Sequence, residues 1–311
     1  MDFIGKRTYF LTISMVLSVI AVVILFVPGL NLGIDFASGT SITYKFEDSD
    51  PGLPSIRSAL EKSGHENAVI QKIGNDQYFV RTTDLGDSGK DVIDEKLREI
   101  QDVKLITLDT TSVGKSVADD TVKNALIAVS VAVLFVMLYI MYAFRSVPES
   151  YKYAISAILA LVHDILIVLG IFTILGIFVG SEVNSIFIVG ILTTIGYSVN
   201  DTIVIFDRVR ENVSLAPNRA FRTNVNISIN ESITRSIGTS VTTLTVILAI
   251  ILFGGVSLRD FLYVLLSGVI VGTYSSIFIA AQILVAWDSR GILFGVEKFK
   301  SSPQRLYNFV L

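Results

Sequence analysis

Six long apolar stretches dominate the pattern of hydrophobic and polar positions along the chain. They cover residues 8–27, 125–144, 153–179, 186–206, 237–253 and 261–286. A helix needs about 20 mainly apolar residues to cross the hydrocarbon core of a membrane. The pattern therefore predicts six transmembrane helices, of which the fifth is the shortest and is rich in threonine.

Segment 28–124 is the one long stretch whose pattern changes to that of a water-soluble domain. Strand patterns cover 41–46, 68–73, 77–82 and 103–110, and helix patterns cover 54–62 and 90–100. A Gly-Asn-Asp sequence at 74–76 is a hairpin signal between the second and third strands. The order βαββαβ is that of a ferredoxin-like sandwich. We predict a polytopic α-helical membrane protein with a ferredoxin-like head between its first and second transmembrane helices.

Basic residues are distributed unevenly between the two sides of the predicted bundle. Segments on the side of the N-terminus hold 13 lysine and arginine residues, whereas the two short loops opposite hold Arg259 alone. Cytoplasmic segments carry the excess of basic residues, so both termini are predicted in the cytoplasm and the head in the periplasm. The first apolar stretch ends without a cleavage-site pattern, and we interpret it as an uncleaved signal anchor.

The predicted organisation has six parts. They are the N-terminus with the first span (1–27), the periplasmic head (28–124), spans two to four (125–206), a cytoplasmic loop (207–236), spans five and six (237–287) and a cytoplasmic tail (288–311). Composition agrees with this division, because 51% of the 311 residues are hydrophobic and only 17% are charged. A soluble protein of this size needs more charge to cover its surface.

Residue content also limits the chemistry. The chain has no cysteine, which excludes disulfides, thiolate metal sites and thiol catalysis. Two histidines are too few for a histidine-rich metal site, and a net charge of −3 gives no support to nucleic-acid binding. We therefore expect no enzymatic activity, no metal or cofactor and no nucleic-acid partner.

An aspartate near the end of the fourth span is the strongest candidate for function, because charge inside a membrane is costly. Asp201 lies five residues before the end of that span, and Arg235 lies two residues before the fifth span begins on the same side. Their depths match, which predicts a contact between them. Thr239 and Thr242 share a helix face with Arg235. Such a group can hold and release a proton. A static ion pair and an Arg235 that extends to the headgroups remain alternatives.

Two further ionisable residues lie inside the third span. His163 and Asp164 are adjacent, so their side chains point about 100° apart on a helix. With Asn200 and Thr242 they form an auxiliary polar set; for His163 and Asp164, structural hydrogen bonding and proton relay are both open. An aspartyl protease would need Asp164 and Asp201 to share one proton. The cation predicted beside Asp201 disfavours that arrangement.

Three motifs resemble the SecF branch of the SecD/SecF family of protein-export membrane proteins, within the resistance-nodulation-division superfamily. They are GIDFASGT at 33–40, GYSVNDTIVIFDRVREN at 196–212 and NESITRSIGTSVTTL at 230–244. Two positions depart from the family pattern. Ser38 occupies a usual glycine position, where it is expected to alter a tight turn. Gln282 replaces a frequent proline, which is expected to straighten the sixth span.

The resemblance implies a bacterial inner-membrane subunit that assists the SecYEG translocon together with SecD, with YajC as a further candidate partner and unfolded exported polypeptide as the client. It implies that protons are the coupling ion for late steps of export. Asp201 matches the proton-carrying aspartate of the family, and Arg235 and Thr239 match its partners. A scaffold subunit that conducts no protons is the alternative.

Overall fold

A computed structural model describes residues 1–47, 50–73, 76–86, 89–100, 104–147, 149–255 and 258–288. The elements are α1 (Arg7–Phe26), α2 (Ile34–Ala37), β1 (Gly39–Glu47), α3 (Gly52–Lys62), β2 (Val69–Lys72), β3 (Gln77–Thr82), α4 (Gly89–Arg98), β4 (Lys104–Val113), α5 (Lys115–Ala143), α6 (Ser150–Phe178), α7 (Ser185–Leu215), α8 (Phe221–Phe253), α9 (Arg259–Ser275), a π-helical turn (Ser276–Ala280) and α10 (Ala281–Asp288). The predicted tail 288–311 lies almost entirely outside the described residues.

The prediction of six membrane helices is confirmed. Helices α1, α5, α6, α7 and α8 are each long and apolar enough to cross a membrane, and so is the continuous sixth helix formed by α9, the π turn and α10. Both α7 and α8 extend far into the predicted loop 207–236, and only residues 216–220 connect them. Polar contacts explain the extension: Asn212 on α7 donates to Ser228 Oγ (2.9 Å) and Glu231 Oε2 (2.8 Å) on α8.

The head has the predicted ferredoxin-like topology. Its four strands lie in the order β2-β3-β1-β4, and all neighbours are antiparallel. Apolar residues alternate along β1, so that Ile42, Tyr44 and Phe46 point into one core with side chains from α3 and α4. Tyr44 also donates to Asp94 Oδ1 on α4 at 2.7 Å. The hairpin between β2 and β3 is present, while residues 74 and 75 of its turn lie outside the described residues.

Helices α7 and α9 form the centre of the bundle. In the most apolar 18-residue segment of each helix, half of the residues are buried in α7 and 67% in the sixth span. The corresponding shares are 11% in α1 and 6% in α5. Small residues allow the central helices to approach closely. A Cβ atom at Gly268 of α9 would lie 2.2 Å from Thr194 Oγ1 of α7. The apolar outer faces of α1 and α5 are left to lipid or to a partner.

The two departures from the family pattern have clear structural outcomes. Ser38 adopts φ 60° and ψ 163°, a conformation that glycine tolerates and other residues rarely adopt. Serine therefore occupies a glycine conformation at this position. The sixth span continues as a helix through Gln282, whose side chain donates to Phe3 O at 3.2 Å, and the π turn lies directly before α10.

The head docks on the connection between α6 and α7. Backbone hydrogen bonds join Gly33 N to Val183 O and Val183 N to Asn31 O, both at 2.8 Å. Gln71 on β2 donates to Gly180 O at 2.9 Å. We call this junction, formed by residues 31–35, Gln71 and Arg81 against residues 180–185, the head clasp.

The head clasp contains a largely buried ion pair. Arg81 Nη1 on β3 lies 3.1 Å from Glu182 Oε1, without the angle of a hydrogen bond. Arg81 also donates to Asn31 Oδ1 (3.0 Å) and to the Leu32 carbonyl. Burial, opposed by Arg81 and reinforced by Asp260, raises the pKa of Glu182 from 4.5 to about 7. The carboxyl therefore changes charge in a range close to neutral pH.

Candidate functional site

Asp201 is buried in the bundle and faces α8. Its side chain is 6% exposed, and Ser236 of α8 lies close enough to act on it. Asp201 Oδ2 and Ser236 Oγ are both buried, and neither has a hydrogen-bond partner among the described residues. Unsatisfied polar atoms in an apolar environment are costly and mark sites of function or rearrangement. The structure thus places the strongest sequence candidate at an incompletely bonded position.

The predicted contact between Asp201 and Arg235 is not formed. Arg235 is exposed, and its guanidinium makes no ion pair within 4.0 Å in the part of the chain described, although its charge still acts on Asp201. The buried face of α8 instead carries four serines at a spacing of four residues, Ser228, Ser232, Ser236 and Ser240. Arg235 precedes Ser236 by one position, or about 100° around the helix. Sequence reasoning chose the right helix and the neighbouring face.

The other predicted partners also lie on exposed surfaces. Thr239 donates to Arg235 O (3.1 Å) and Ser236 O (2.9 Å), and Thr242 donates to Gly238 O and Thr239 O of the same helix. Asn200 is exposed on α7. Together with Arg235, these residues give the bundle a polar outer face beside Asp201. Their roles in function stay predictions.

A chain of hydroxyl groups, beginning about one helical turn from Asp201, joins three helices. Tyr197 on α7 donates to Ser240 Oγ on α8 at 2.9 Å, and Ser240 Oγ lies 2.5 Å from Thr273 Oγ1 on α9. We call Asp201, Ser236, Tyr197, Ser240 and Thr273 the Asp201 cluster. A hydroxyl can both donate and accept, so such a chain can pass a proton or follow a change in charge. Sequence reasoning missed the two serines and Thr273.

A second buried carboxyl lies on α6. Asp164 is fully buried, and its Oδ2 accepts from Ser198 Oγ on α7 and Ser275 Oγ on α9, both at 2.6 Å. His163 Nδ1 lies 3.0 Å from Asp164 Oδ1 although the two residues are adjacent. We call these four residues the Asp164 cluster. Within the described ranges, no three histidine, aspartate or glutamate side chains could hold a metal ion.

Family comparisons agree with this arrangement. Residues 92–290 match the family described as protein export membrane protein SecD/SecF, C-terminal, and residues 23–50 match the SecD/SecF GG motif. The chain belongs to the SecD/SecF family. It is 36% identical to the protein translocase subunit SecF of Thermobaculum terrenum, over 94% of this chain and 95% of the relative. The SecF subunit of Anaerolinea thermophila is 35% identical, over 93% and 94% of the two chains.

Solved structures of SecDF share the fold. The crystal structure of SecDF, a translocon-associated membrane protein from Thermus thermophilus, aligns with a TM-score of 0.83 at 33% identity. A SecDF structure in a super-membrane-facing form aligns with a TM-score of 0.66 at 32% identity. The chain is covered to 93% in both and spans 39% of each SecDF chain. Homology to translocase subunits gives this membrane protein a role in protein export.

Proposed function

We propose that this chain is the SecF-like subunit of a SecD–SecF complex in the bacterial inner membrane, where it couples proton flow to late steps of export through SecYEG. Both termini lie in the cytoplasm, and the head lies in the periplasm beside the emerging unfolded polypeptide. The basic residues on the side of the termini support this orientation. YajC is a further candidate partner.

The observation that carries the proposal is the bonding state of Asp201. Its buried Oδ2 has no hydrogen-bond partner within bonding geometry among the described residues, and the groups of α8 that act on it are Ser236 and Arg235. A neutral carboxylic acid suits such a position, whereas a carboxylate needs a cation. A rotation of α8 by about 100° would bring Arg235 to the carboxyl in place of Ser236, since the two are adjacent. Proton binding and release at Asp201 would then alternate between the serine and arginine contacts.

A SecD partner accounts for the polar outer face. Arg235, Thr239 and Thr242 are exposed on α8, and Asn200 is exposed on α7. Polar and charged side chains are expensive to leave in hydrocarbon, so a second protein surface with complementary polar groups is expected against them. The relatives named SecDF, of which this chain spans 39%, support SecD as that second protein. The complete proton path therefore requires both subunits.

The test replaces the carboxyl while keeping its shape. Asp201→Asn should reduce gradient-driven export by roughly a hundredfold, the lower end of what a positioned proton-transfer group contributes. The matched control is Asp207→Asn on the same helix, because Asp207 is exposed and pairs with Arg210 at 2.5 Å. Export is measured after ATP-dependent translocation has been stopped, in complexes shown to be assembled. Normal export by Asp201→Asn would favour the scaffold alternative.

A further inference from the structure

The sixth span connects to three other helices within four consecutive positions. Thr273 contacts Ser240 of α8 (2.5 Å), Ser275 donates to Asp164 of α6 (2.6 Å), and Ser276 contacts Thr202 of α7 (2.8 Å). The π turn begins at Ser276, and such turns are frequent at functional sites. This level of the bundle is therefore a polar junction rather than ordinary apolar packing.

Asp164 supplies the acceptor that holds two sides of the junction together. Its Oδ2 accepts from one hydroxyl on α7 and one on α9, while His163 occupies Oδ1. The side chain has no exposed surface. With both oxygens engaged, its observed geometry fixes α7 and the sixth span against α6.

Both helices fixed by Asp164 also carry the Asp201 cluster. Ser198 lies three residues before Asp201 on α7, close to one helical turn. Ser275 lies two residues after Thr273, whose hydroxyl contacts Ser240 of the Asp201 cluster. A change in either serine contact would therefore alter the spacing of α7, α8 and α9 around Asp201.

We propose that Asp164 is a positioning residue for Asp201: by accepting hydrogen bonds from Ser198 and Ser275, it sets the geometry in which Asp201 binds its proton. The inference rests on the proposed function of Asp201. Asp164 itself keeps its three contacts during the cycle. What matters at position 164 is an oxygen acceptor facing the two serines, and not a group that carries the transported proton.

Two substitutions separate positioning from proton carriage. Asp164→Asn keeps one oxygen that can accept from both serines, whereas Asp164→Leu removes the acceptor. The readout is the infrared carboxyl band of Asp201, which is assigned by its loss in Asp201→Asn. The band is followed as a function of pH in the chain assembled with SecD. The pH at the midpoint of the titration of that band should stay near the wild-type value in Asp164→Asn. It should move by about one pH unit in Asp164→Leu, the scale on which hydrogen bonding changes a carboxyl titration.

Matched serine variants keep the test independent of the folding of Asp164 variants. Ser275→Ala should move the Asp201 band in the same direction as Asp164→Leu. Ser267→Ala on the same helix should not, because Ser267 is buried and, among the described residues, bonds only backbone carbonyls of its own helix. An Asp201 band unmoved in Asp164→Leu and Ser275→Ala would overturn the inference, as would loss of gradient-driven export in Asp164→Asn with an unmoved band. Normal export by Asp201→Asn would refute the proposed function. The titration of the Asp201 band in the Asp164 and Ser275 variants would still decide whether Asp164 positions Asp201.

Discussion

Docking of the head on the bundle should depend on pH through Glu182. The pKa of Glu182 is about 7 in the head clasp, against 4.5 for a solvated glutamate, because burial disfavours its charged form. The docked state therefore binds the proton more tightly than an undocked state does. Docking gains stability as the pH falls from 7 towards 4.5, and this stability is lost as the pH rises through 7.

The size of the effect follows from the same two values. At 1.36 kcal/mol per pH unit, the difference between 4.5 and about 7 corresponds to about 3 kcal/mol, or about three-hundredfold in the opening equilibrium over the full pH range. Three charged groups surround the clasp. Arg81 faces Glu182 from β3, Asp260 accepts from the Glu182 amide at 3.5 Å, and Asp35 accepts from Ser185 N at 2.8 Å. Arg81 keeps its carbonyl and amide acceptors when Glu182 is protonated, so the clasp does not depend on the ion pair alone.

Amide hydrogen exchange measures this opening directly. After correction for intrinsic rates, protection of the Gly33 and Val183 amides should rise about a hundredfold between about pH 8 and about pH 5. Glu182→Gln is neutral at every pH and should give high protection with little pH dependence. Glu61→Gln, at an exposed carboxyl on α3, should behave as the wild type. Wild-type protection that does not change with pH, or a pH dependence retained in Glu182→Gln, would refute the role of Glu182.

Three further predictions concern packing, backbone strain and topology. Gly268→Ala should destabilise the chain by about 1–3 kcal/mol in reversible unfolding, because the new methyl group overlaps a threonine of α7. Its control, Gly238→Ala on α8, meets no atom within 4 Å and should be neutral or stabilising. Ser38→Gly should stabilise the chain by ~1–2 kcal/mol in the same assay by relieving its backbone conformation, and an unchanged stability would contradict the strain. Ser58→Cys on the head should react with an impermeant thiol reagent from the periplasm and Ser214→Cys should not, and labelling in the reverse order would invert the proposed orientation.

The sequence was sufficient for the parts of the fold that repeat a simple pattern. Long apolar stretches specified the six membrane helices, and alternation along β1 with the βαββαβ order specified the head. Helix ends were less predictable. Beyond the predicted spans, α7 and α8 continue as helices through segments that contain charged residues. Contacts such as that of Asn212 with Glu231 stabilise these segments by joining the two helices, and such contacts produce no periodic pattern in the sequence.

The candidate site could be predicted as a region but not in its contacts. The exposed stripe of Arg235, Thr239 and Thr242 and the buried stripe of serines differ by one position on α8. Both contain small polar residues, so hydropathy does not decide which one packs against α7. Ser275, the partner of Asp164, also has no sequence signal. Single serines are common in membrane helices, where their hydroxyl groups usually bond the backbone of the same helix.

Proton flux through the assembled complex tests the central role of Asp201 most directly. Proteoliposomes that contain this chain with SecD and SecYEG, and an entrapped pH-sensitive dye, report flux while a client is being exported. Flux and export should both be lost in Asp201→Asn and both be retained in Asp207→Asn, whose carboxyl lies outside the buried cluster. Equal flux in the wild type and Asp201→Asn would contradict the assignment of Asp201 as the proton-binding group.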